Sequence, residues 1–384
     1  MSMINIWNTP AGMKDWLPGE ACARRELMNR LLEKMALWGY EEITTPVLEY
    51  YQVLQKGEGT AQEDHLYKLI DRNGSILALR PEMTTPIARI ASSKLPGKPP
   101  WRLMYGAQVF RYEDIQAGRQ REFGQAGVEL IGQTGPEADS EILALAIDAL
   151  KAVGLEQFTV SLGHMGILRG LLESLSGEEE QLNSVRSLVL EKDFVGLNQL
   201  MEQSGLEGKS KEELIGLLTR QLTPADLAGC LKNPPSEIQK ALVDLQAITE
   251  LLEIQGHGSH IHIDLSTLRN QEYYTGMVFE IYTSGIGYPI GGGGRYDRLL
   301  EVFGRELPAT GFALGIERIL MSAAKNRDPK NTILVAGKNP RTVLRDCRGL
   351  REKGNTVIAE TRNITREEAQ VMAQERGFEL QWRE

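Results

Sequence analysis

The sequence predicts an α+β protein: an antiparallel sheet flanked by helices, interrupted by a mostly helical insertion and followed by a small C-terminal α/β unit. Three observations predict it. Between residues 41 and 132, β-branched and aromatic runs follow one another with turn residues between them, the habit of an antiparallel sheet. From about 165 to 255 the texture changes to dense leucine with alternating Glu and Lys, and β-branched runs vanish. After a charged, turn-rich linker, AKNRDPKN, near 324–331, strand and helix patterns alternate to the last residue.

Taken in order, residues 19–38 read as an amphipathic helix with Leu27, Leu31, Met35 and Leu37 near helical spacing, and Gly39 supplies a stop. The strand runs are EEITTPVLEY, SILALRPE, RLMYGAQVFRYE and REFGQAGVELIG, with Asp71-Arg72-Asn73-Gly74 as a turn. A helix is expected over 138–153 with Asp139 or Ser140 as its cap, then a strand over 157–164. The insertion is broken near Asn233-Pro234-Pro235. Strands return with HIHIDLS, MVFEIYTS and YPIGGGG, and a helix is expected over 312–325. The last segment, 331–384, reads β-α-β-α-β.

Composition bounds the function. Compact domains run ~100–200 residues, so 384 residues suggest two domains, the first with an insert. The net charge of −9 lowers the expectation of nucleic-acid binding, which depends on Lys and Arg contacts to phosphate. Cys22, Cys230 and Cys347 lie far apart without a CxxC pair, so neither a zinc site nor a disulfide framework is expected, and a reducing cytoplasm suits them. The opening MSMINIWNTPAGMKDWLPGE does not read as a signal peptide, and no apolar run is long enough for a membrane span.

Four segments place charge inside apolar strands, where each charge needs a partner or a ligand. In LRPEMTTP, Glu82 follows a strand and precedes a helix; it either holds an ammonium group, with Thr84 adding a hydrogen bond, or serves the helix start. Arg111 ends one strand, and Phe123, Gln125, Gly127 and Glu129 share one face of the next. That face reads either as a floor for a small polar ligand, with Gly127 giving it room and Arg111 clamping an anion, or as a solvated sheet face. Tyr273 and Tyr274 beside Arg269 suit an aromatic, partly polar ligand, or plain packing. The run Gly291-Gly292-Gly293-Gly294-Arg295-Tyr296-Asp297 permits close backbone approach and is no P-loop, because no Gly-Lys-Ser/Thr follows. Arg318, in PATGFALGIER, meets a phosphate or pairs with a carboxylate.

Together, over residues 8–325, these segments resemble the histidyl-tRNA synthetases. TPAGMKDWLP is similar to that family's start; GYEEITTPVLEY, FRYE…REFGQAGVE and GFALGIER look like class II motifs 1, 2 and 3; LRNQEYYTGMVFE and GGGGRYD resemble the two histidine-specific motifs. The resemblance implies a class II aminoacyl-tRNA synthetase-like domain over 1–325, with a six-stranded antiparallel sheet and the insertion at about 165–255, and a separate α/β domain over 331–384. It implies a histidine pocket made of Glu82, Thr84, Arg111, Gln125, Glu129, Arg269, Tyr273 and Tyr274, with Arg111 and Arg318 matching the arginines that hold ATP phosphates.

The departures point to a branch of that family. Asp114-Ile115-Gln116 stands where synthetases usually read Arg-Pro-Gln, an acid beside the expected phosphates. Gly124 replaces a common histidine, Asn270-Gln271-Glu272 replaces Gly-Leu-Asp, Met83 replaces a glycine, and the C-terminal unit is short for an anticodon-binding domain. Arg80 to Arg89 resemble the regulatory subunits of ATP phosphoribosyltransferase. That branch implies a non-catalytic chain with no cofactor, no metal and no tRNA, dimeric within a hetero-octamer. It implies pairing with a short-form catalytic subunit, which needs this chain for activity and for feedback inhibition by L-histidine. The alternative is a minimal histidyl-tRNA synthetase, for which Arg111, Arg269 and Arg318 are retained.

Overall fold

The structure is a computed structural model describing residues 6–58, 64–112, 120–175, 178–203, 216, 218–227, 229–231, 234–268, 273–322 and 332–384. It divides into two compact units, Met1–Ala323 and Ala324–Glu384. The expected linker at 324–331 and the motif 2 substitutions at 114–116 lie outside the described residues.

The first unit opens with helix α1 (Pro18–Leu37), which buries Leu27, Leu31 and Met35 at four-residue spacing. Leu37, two residues past that stripe, points away and is exposed, contrary to the expectation. Gly39 ends the run at positive φ. The next segment splits at Thr45-Pro46 into two short strands, β1 (Glu41–Glu42) and β2 (Leu48–Tyr50). After α2 (Tyr51–Glu58) come β3 (Lys68–Ile70), β4 (Ile76–Leu79) and α3 (Thr84–Ser93). The long strands β5 (Trp101–Phe110) and β6 (Glu122–Ile131) follow as an antiparallel pair.

Helix α4 (Gly135–Ala152) starts earlier than the sequence suggested. Its N-cap is Thr134, and Pro136 pre-sets the first turn. Asp139 and Ser140, the expected caps, are inside the helix and buried. Strand β7 (Phe158–His164) leads into the insertion, which holds α5 (Met165–Ser174), α6 (Glu179–Leu190), α7 (Phe194–Gln203), a two-residue strand β8 (Gln221–Leu222) and α8 (Ser236–Ile254), the last beginning after Pro235. The sheet resumes with β9 (Ile261–Asp264), β10 (Met277–Thr283), β11 (Gly291–Arg295) and β12 (Ala309–Gly315).

Two expectations fail here. Of the strand expected over YPIGGGG, only Gly291–Gly294 are in β11, while Tyr288-Pro289-Ile290 before them are not, and a turn with a short 3-10 segment follows. Residues 312–315 continue β12, paired with β6 and β11, so the helix predicted over 312–325 begins only at Ile316 as α9 (Ile316–Ser322), and 323–325 lie outside the described residues. In both places sheet hydrogen bonds outrank local propensity.

The main sheet has nine strands in the order β1-β5-β6-β12-β11-β10-β7-β9-β8. The six from β5 to β7 pair antiparallel throughout, as the family resemblance implied. One face packs on α1, α4 and the insertion helices around Val128, Leu130, Val160 and Phe279. The other carries a smaller core under α3, with Met83, Ile87, Leu103 and Tyr105. Strands β2, β4 and β3 form a separate three-stranded sheet.

The second unit is β13 (Thr332–Gly337), α10 (Pro340–Glu352), β14 (Thr356–Glu360), α11 (Arg366–Arg376) and β15 (Glu379–Arg383), a parallel sheet in the order β14-β13-β15. This is the expected β-α-β-α-β order.

Arg295, at the end of β11, grips Asp139 of α4 with Nε at 3.0 Å and Nη2 at 2.8 Å, and reaches Asp297 at 3.0 Å. Asp139 and Arg295 are both buried, and the fork ties helix to sheet. Removing one partner strands the other. Asp139→Ala is expected to lose ~3–5 kcal/mol in urea denaturation.

Candidate functional site

Below α3, the face of β6 bearing Phe123, Gln125 and Glu129 lines a cavity of about 140 Å³. Gly291 and Gly292 of β11 and Gly311 and Gly315 of β12 extend its floor. Glu82 and Thr84 enter from the start of α3, Tyr273 and Tyr274 from the segment before β10, and Tyr296 from just after β11. Arg111, following β5, and Arg318, on α9, stand at its border. Thus Glu82, Thr84, Arg111, Gln125, Glu129, Tyr273, Tyr274 and Arg318 surround one space. Arg269 lies outside the described residues.

Glu129 is the most constrained of these groups, 1% exposed in mid-strand. Thr84 Oγ1 donates to its Oε1 at 2.8 Å, and the Tyr296 hydroxyl donates to its Oε2. Burial raises its pKa from 4.5 to about 8; the two hydroxyls pull it down and the nearby Glu82 charge adds to the rise. The carboxylate fits because Gly311 faces it across the β6–β12 pair. A Cβ at Gly311 would lie 2.1 Å from Glu129 Oε2.

Gly127 does something other than the sequence suggested. Its bare space is filled from within the protein: a Cβ there would meet the Phe312 carbonyl oxygen at 2.2 Å and the Tyr105 hydroxyl at 2.4 Å. Tyr105 is the cross-strand partner of Gly127 and buried. The room is for a tyrosine, and the ligand floor lies on either side of it.

Glu82 serves the helix start. Its carboxylate accepts from the backbone N–H of Thr84 and, at 2.9 Å, from that of Thr85. It also lines the cavity, so both readings of this residue hold. The Oε1 atoms of Gln125 and Gln120 are buried and have no hydrogen-bond partner among the described residues. Tyr273, Tyr274 and Tyr296 form an aromatic cluster with ring centroids 4.7, 5.7 and 6.5 Å apart.

At the cationic border, Arg111 Nε donates to the Pro81 carbonyl at 2.9 Å, and its guanidinium lies 5.5 Å from the Phe123 ring centre. Arg318 donates to the Pro289 carbonyl at 2.6 Å and covers Tyr288. Behind the floor, Arg24 pairs with Glu317 at 2.7 Å, and the Gly124 N–H donates to the other oxygen of that carboxylate at 2.9 Å. A Cβ at residue 124 would lie 2.7 Å from Arg24 Nη2, so this ion pair occupies the space a larger residue would need.

The cavity therefore offers acceptors at Glu82, Gln120, Gln125 and Glu129, tyrosine rings, and two guanidinium groups. It suits a small molecule with an ammonium or N–H donors, a flat ring and an anionic group. Sequence reasoning did not assign Tyr105, Tyr296 or Gln120 to the site. The register that sets Tyr105 against Gly127 was the missing signal for the first, and Tyr296 was hidden inside the glycine-rich motif.

Comparison with known proteins gives the family of the chain. The family model described as Histidyl-tRNA synthetase matches residues 12–319. The chain is 42% identical over 379 residues to the ATP phosphoribosyltransferase regulatory subunit of Moorella thermoacetica, covering 97% of each. It is 36% identical to that of Acetivibrio thermocellus, over 91% of this chain and 85% of the relative. A crystal structure from Bacillus halodurans, described as an ATP phosphoribosyltransferase regulatory subunit/histidyl-tRNA synthetase, superposes with a TM-score of 0.88 at 32% identity, covering 99% of this chain and 98% of that one. A histidyl-tRNA synthetase from Nostoc shares the fold, with a TM-score of 0.81 at 22% identity over 98% of this chain and 90% of its own.

The raised pKa of Glu129 has a consequence for stability. The folded state keeps this carboxyl protonated up to about pH 8, whereas the unfolded chain ionises it near 4.5. The contribution is full below the lower value and is lost as pH rises through the higher. Unfolding free energy is expected to fall on the order of a few kcal/mol between pH 5 and pH 8.5. Glu129→Gln should flatten that slope in denaturation curves at the two pH values.

Proposed function

We propose that this chain, which belongs to the family of ATP phosphoribosyltransferase regulatory subunits and shares the histidyl-tRNA synthetase fold, senses histidine on behalf of a short catalytic subunit in the first step of histidine biosynthesis. Its role is regulatory and non-catalytic. The observation that carries the histidine reading is a single cavity joining buried acceptors, a tyrosine cluster and guanidinium groups. In this reading the α-ammonium group meets Glu82, Thr84 and Gln125, the carboxylate meets Arg111, and the imidazole packs on Tyr273 and Tyr274 with Glu129 accepting from a ring N–H. Arg269 completes the pocket by family resemblance. Arg111 and Arg318 mark what was the ATP-phosphate side of the ancestral site.

Feedback then follows from coupling. Histidine binding changes the affinity or turnover of the partner, an effect typically worth ~1–3 kcal/mol and reciprocal for binding. The chain also self-associates, as a dimer within a hetero-octamer. The three-stranded sheet supports this, because Leu48, Tyr50 and Leu69 share a solvent-exposed apolar face. No helix among the described residues is long and apolar enough to cross a membrane, and the reading assigns the chain to the cytoplasm, without tRNA as a partner.

The purified chain alone is expected to make no phosphoribosyl-ATP; adding the short catalytic subunit should restore turnover, and L-histidine should suppress it. A catalytic subunit fully active and histidine-sensitive by itself, or histidine-dependent ATP–pyrophosphate exchange with tRNA charging by this chain, would overturn the reading. Glu129→Ala and Tyr273→Ala are each expected to raise the half-inhibitory histidine concentration by ~10-fold or more, the effect of losing a buried polar or aromatic contact. Inhibition curves on the reconstituted complex measure it.

A further inference from the structure

We infer that α3 transmits ligand occupancy of the cavity to the three-stranded sheet, through Glu82 at its start and an Arg89–Glu49 ion pair on its second turn. The inference rests on the histidine reading above and assigns it a route.

The route is a closed circuit of short links. Strand β4 ends at Leu79, and only Arg80, Pro81, Glu82 and Met83 separate it from α3. Arg80 is buried and fastens this connection: its backbone N–H donates to the Val47 carbonyl at 3.0 Å, and its guanidinium donates to the Thr45, Pro46 and Gln108 carbonyls at 2.6, 3.2 and 3.0 Å. Val47 leads directly into β2. At the far end, Arg89 Nη2 pairs with Glu49 at 2.5 Å. Glu49 is the buried residue of β2, flanked by exposed Leu48 and Tyr50. The exposed apolar face therefore sits on a sheet held to α3 at two places, one beside the cavity and one midway along the helix.

The cavity end is where a ligand would act. The Glu82 carboxylate is shared between the cavity and the N–H groups of Thr84 and Thr85, and the Thr84 hydroxyl is committed to Glu129. A cationic group drawn to Glu82 competes with those N–H groups for the same oxygens. Where that competition draws an oxygen away from them, the first turn of α3 rotates or loosens to keep its donors satisfied. The rest of the helix is poised to follow. Thr85 Oγ1, Arg89 Nε and Ser92 Oγ, at helical spacings of four and three along one side of α3, are buried and have no hydrogen-bond partner among the described residues. Buried polar atoms in that condition favour any displacement that finds them partners. Thr85 also packs directly on α2, where a Cβ at Gly57 would lie 2.2 Å from its Cγ2, so a shift at the helix start reaches the element that follows β2.

Neither Arg89 nor Glu49 lines the cavity. Replacing one alone leaves a buried charge unpaired, whereas replacing both removes the charge together with its counterion. The test compares the full-length chain with the double variant E49Q/R89Q. L-histidine is titrated calorimetrically into each. Hydrogen exchange in residues 47–50, 68–70 and 76–79 is followed with and without L-histidine. In the parent, L-histidine is expected to change exchange in these strands by at least ~5-fold, the lower end of typical couplings. In the double variant, L-histidine should bind within ~3-fold of the parent while the exchange response disappears, and inhibition of the reconstituted complex should need ~5-fold more histidine or above. Three results overturn the relay: a parent that binds L-histidine with unchanged exchange in the three strands, a double variant that keeps the full response, or one whose histidine affinity collapses. A parent that gives no heat with L-histidine overturns the histidine reading itself. The parent measurement needs no variant, so it decides even if the double variant misfolds.

Discussion

A carboxyl group buried in mid-strand sets the terms for this site. Glu129 lies in the middle of a central strand, buried, with the hydroxyls of Thr84 and Tyr296 as its donors. Leaving such a group without donors costs far more than one ordinary hydrogen bond contributes. The start of α3 and the segment after β11 must therefore both converge on β6. Gly311 must stand opposite to admit the side chain. The cavity is the space left between these obligatory neighbours, and its acceptor-rich character follows from the same arrangement.

The two faces of the main sheet divide the work. Even-numbered residues of β6, such as Ala126, Val128 and Leu130, enter the large core against α1, α4 and the insertion. Odd-numbered Phe123, Gln125 and Glu129 face the ligand side, with Gly127 given over to Tyr105. The backing face is rigid and apolar, and it is closed by the Arg295–Asp139 fork and the Arg24–Glu317 pair. The site face is polar and is roofed by one short helix. The proposed relay uses α3 because it joins unpartnered buried polar atoms to a cap shared with the cavity. A regulator needs such a connection more than it needs a preorganised phosphate site, and Arg318 is already engaged with the Pro289 carbonyl.

Much of this was legible in the chain. The α+β class, an antiparallel sheet, the insertion after β7 and the β-α-β-α-β tail follow from period, breakers and texture, and the resemblance carried by six motifs implied the six antiparallel strands. The candidate residues on β6 were legible because a strand alternates, so Gln125 and Glu129 must share a side. The misreadings have a common cause. Residues 312–315 looked helical because Ala and Leu favour helices, and Tyr288-Pro289-Ile290 looked like strand because they are apolar; hydrogen bonds from neighbouring strands decided otherwise, taking in 312–315 and starting β11 at Gly291. Asp139 looked like a cap until Arg295, 156 positions away, claimed it.

The sequence by itself determined which residues are polar at apolar positions, how they alternate, and which family their order resembles, because these are local or ordered properties of the chain. Only the tertiary structure decided that Tyr105 fills the gap at Gly127, that Tyr296 and Thr84 share one carboxylate, and that Glu82 serves a helix and a cavity at once. Each of those depends on register and on contacts across many residues. No spacing along the chain encodes the distance between two strands that meet only when the sheet closes.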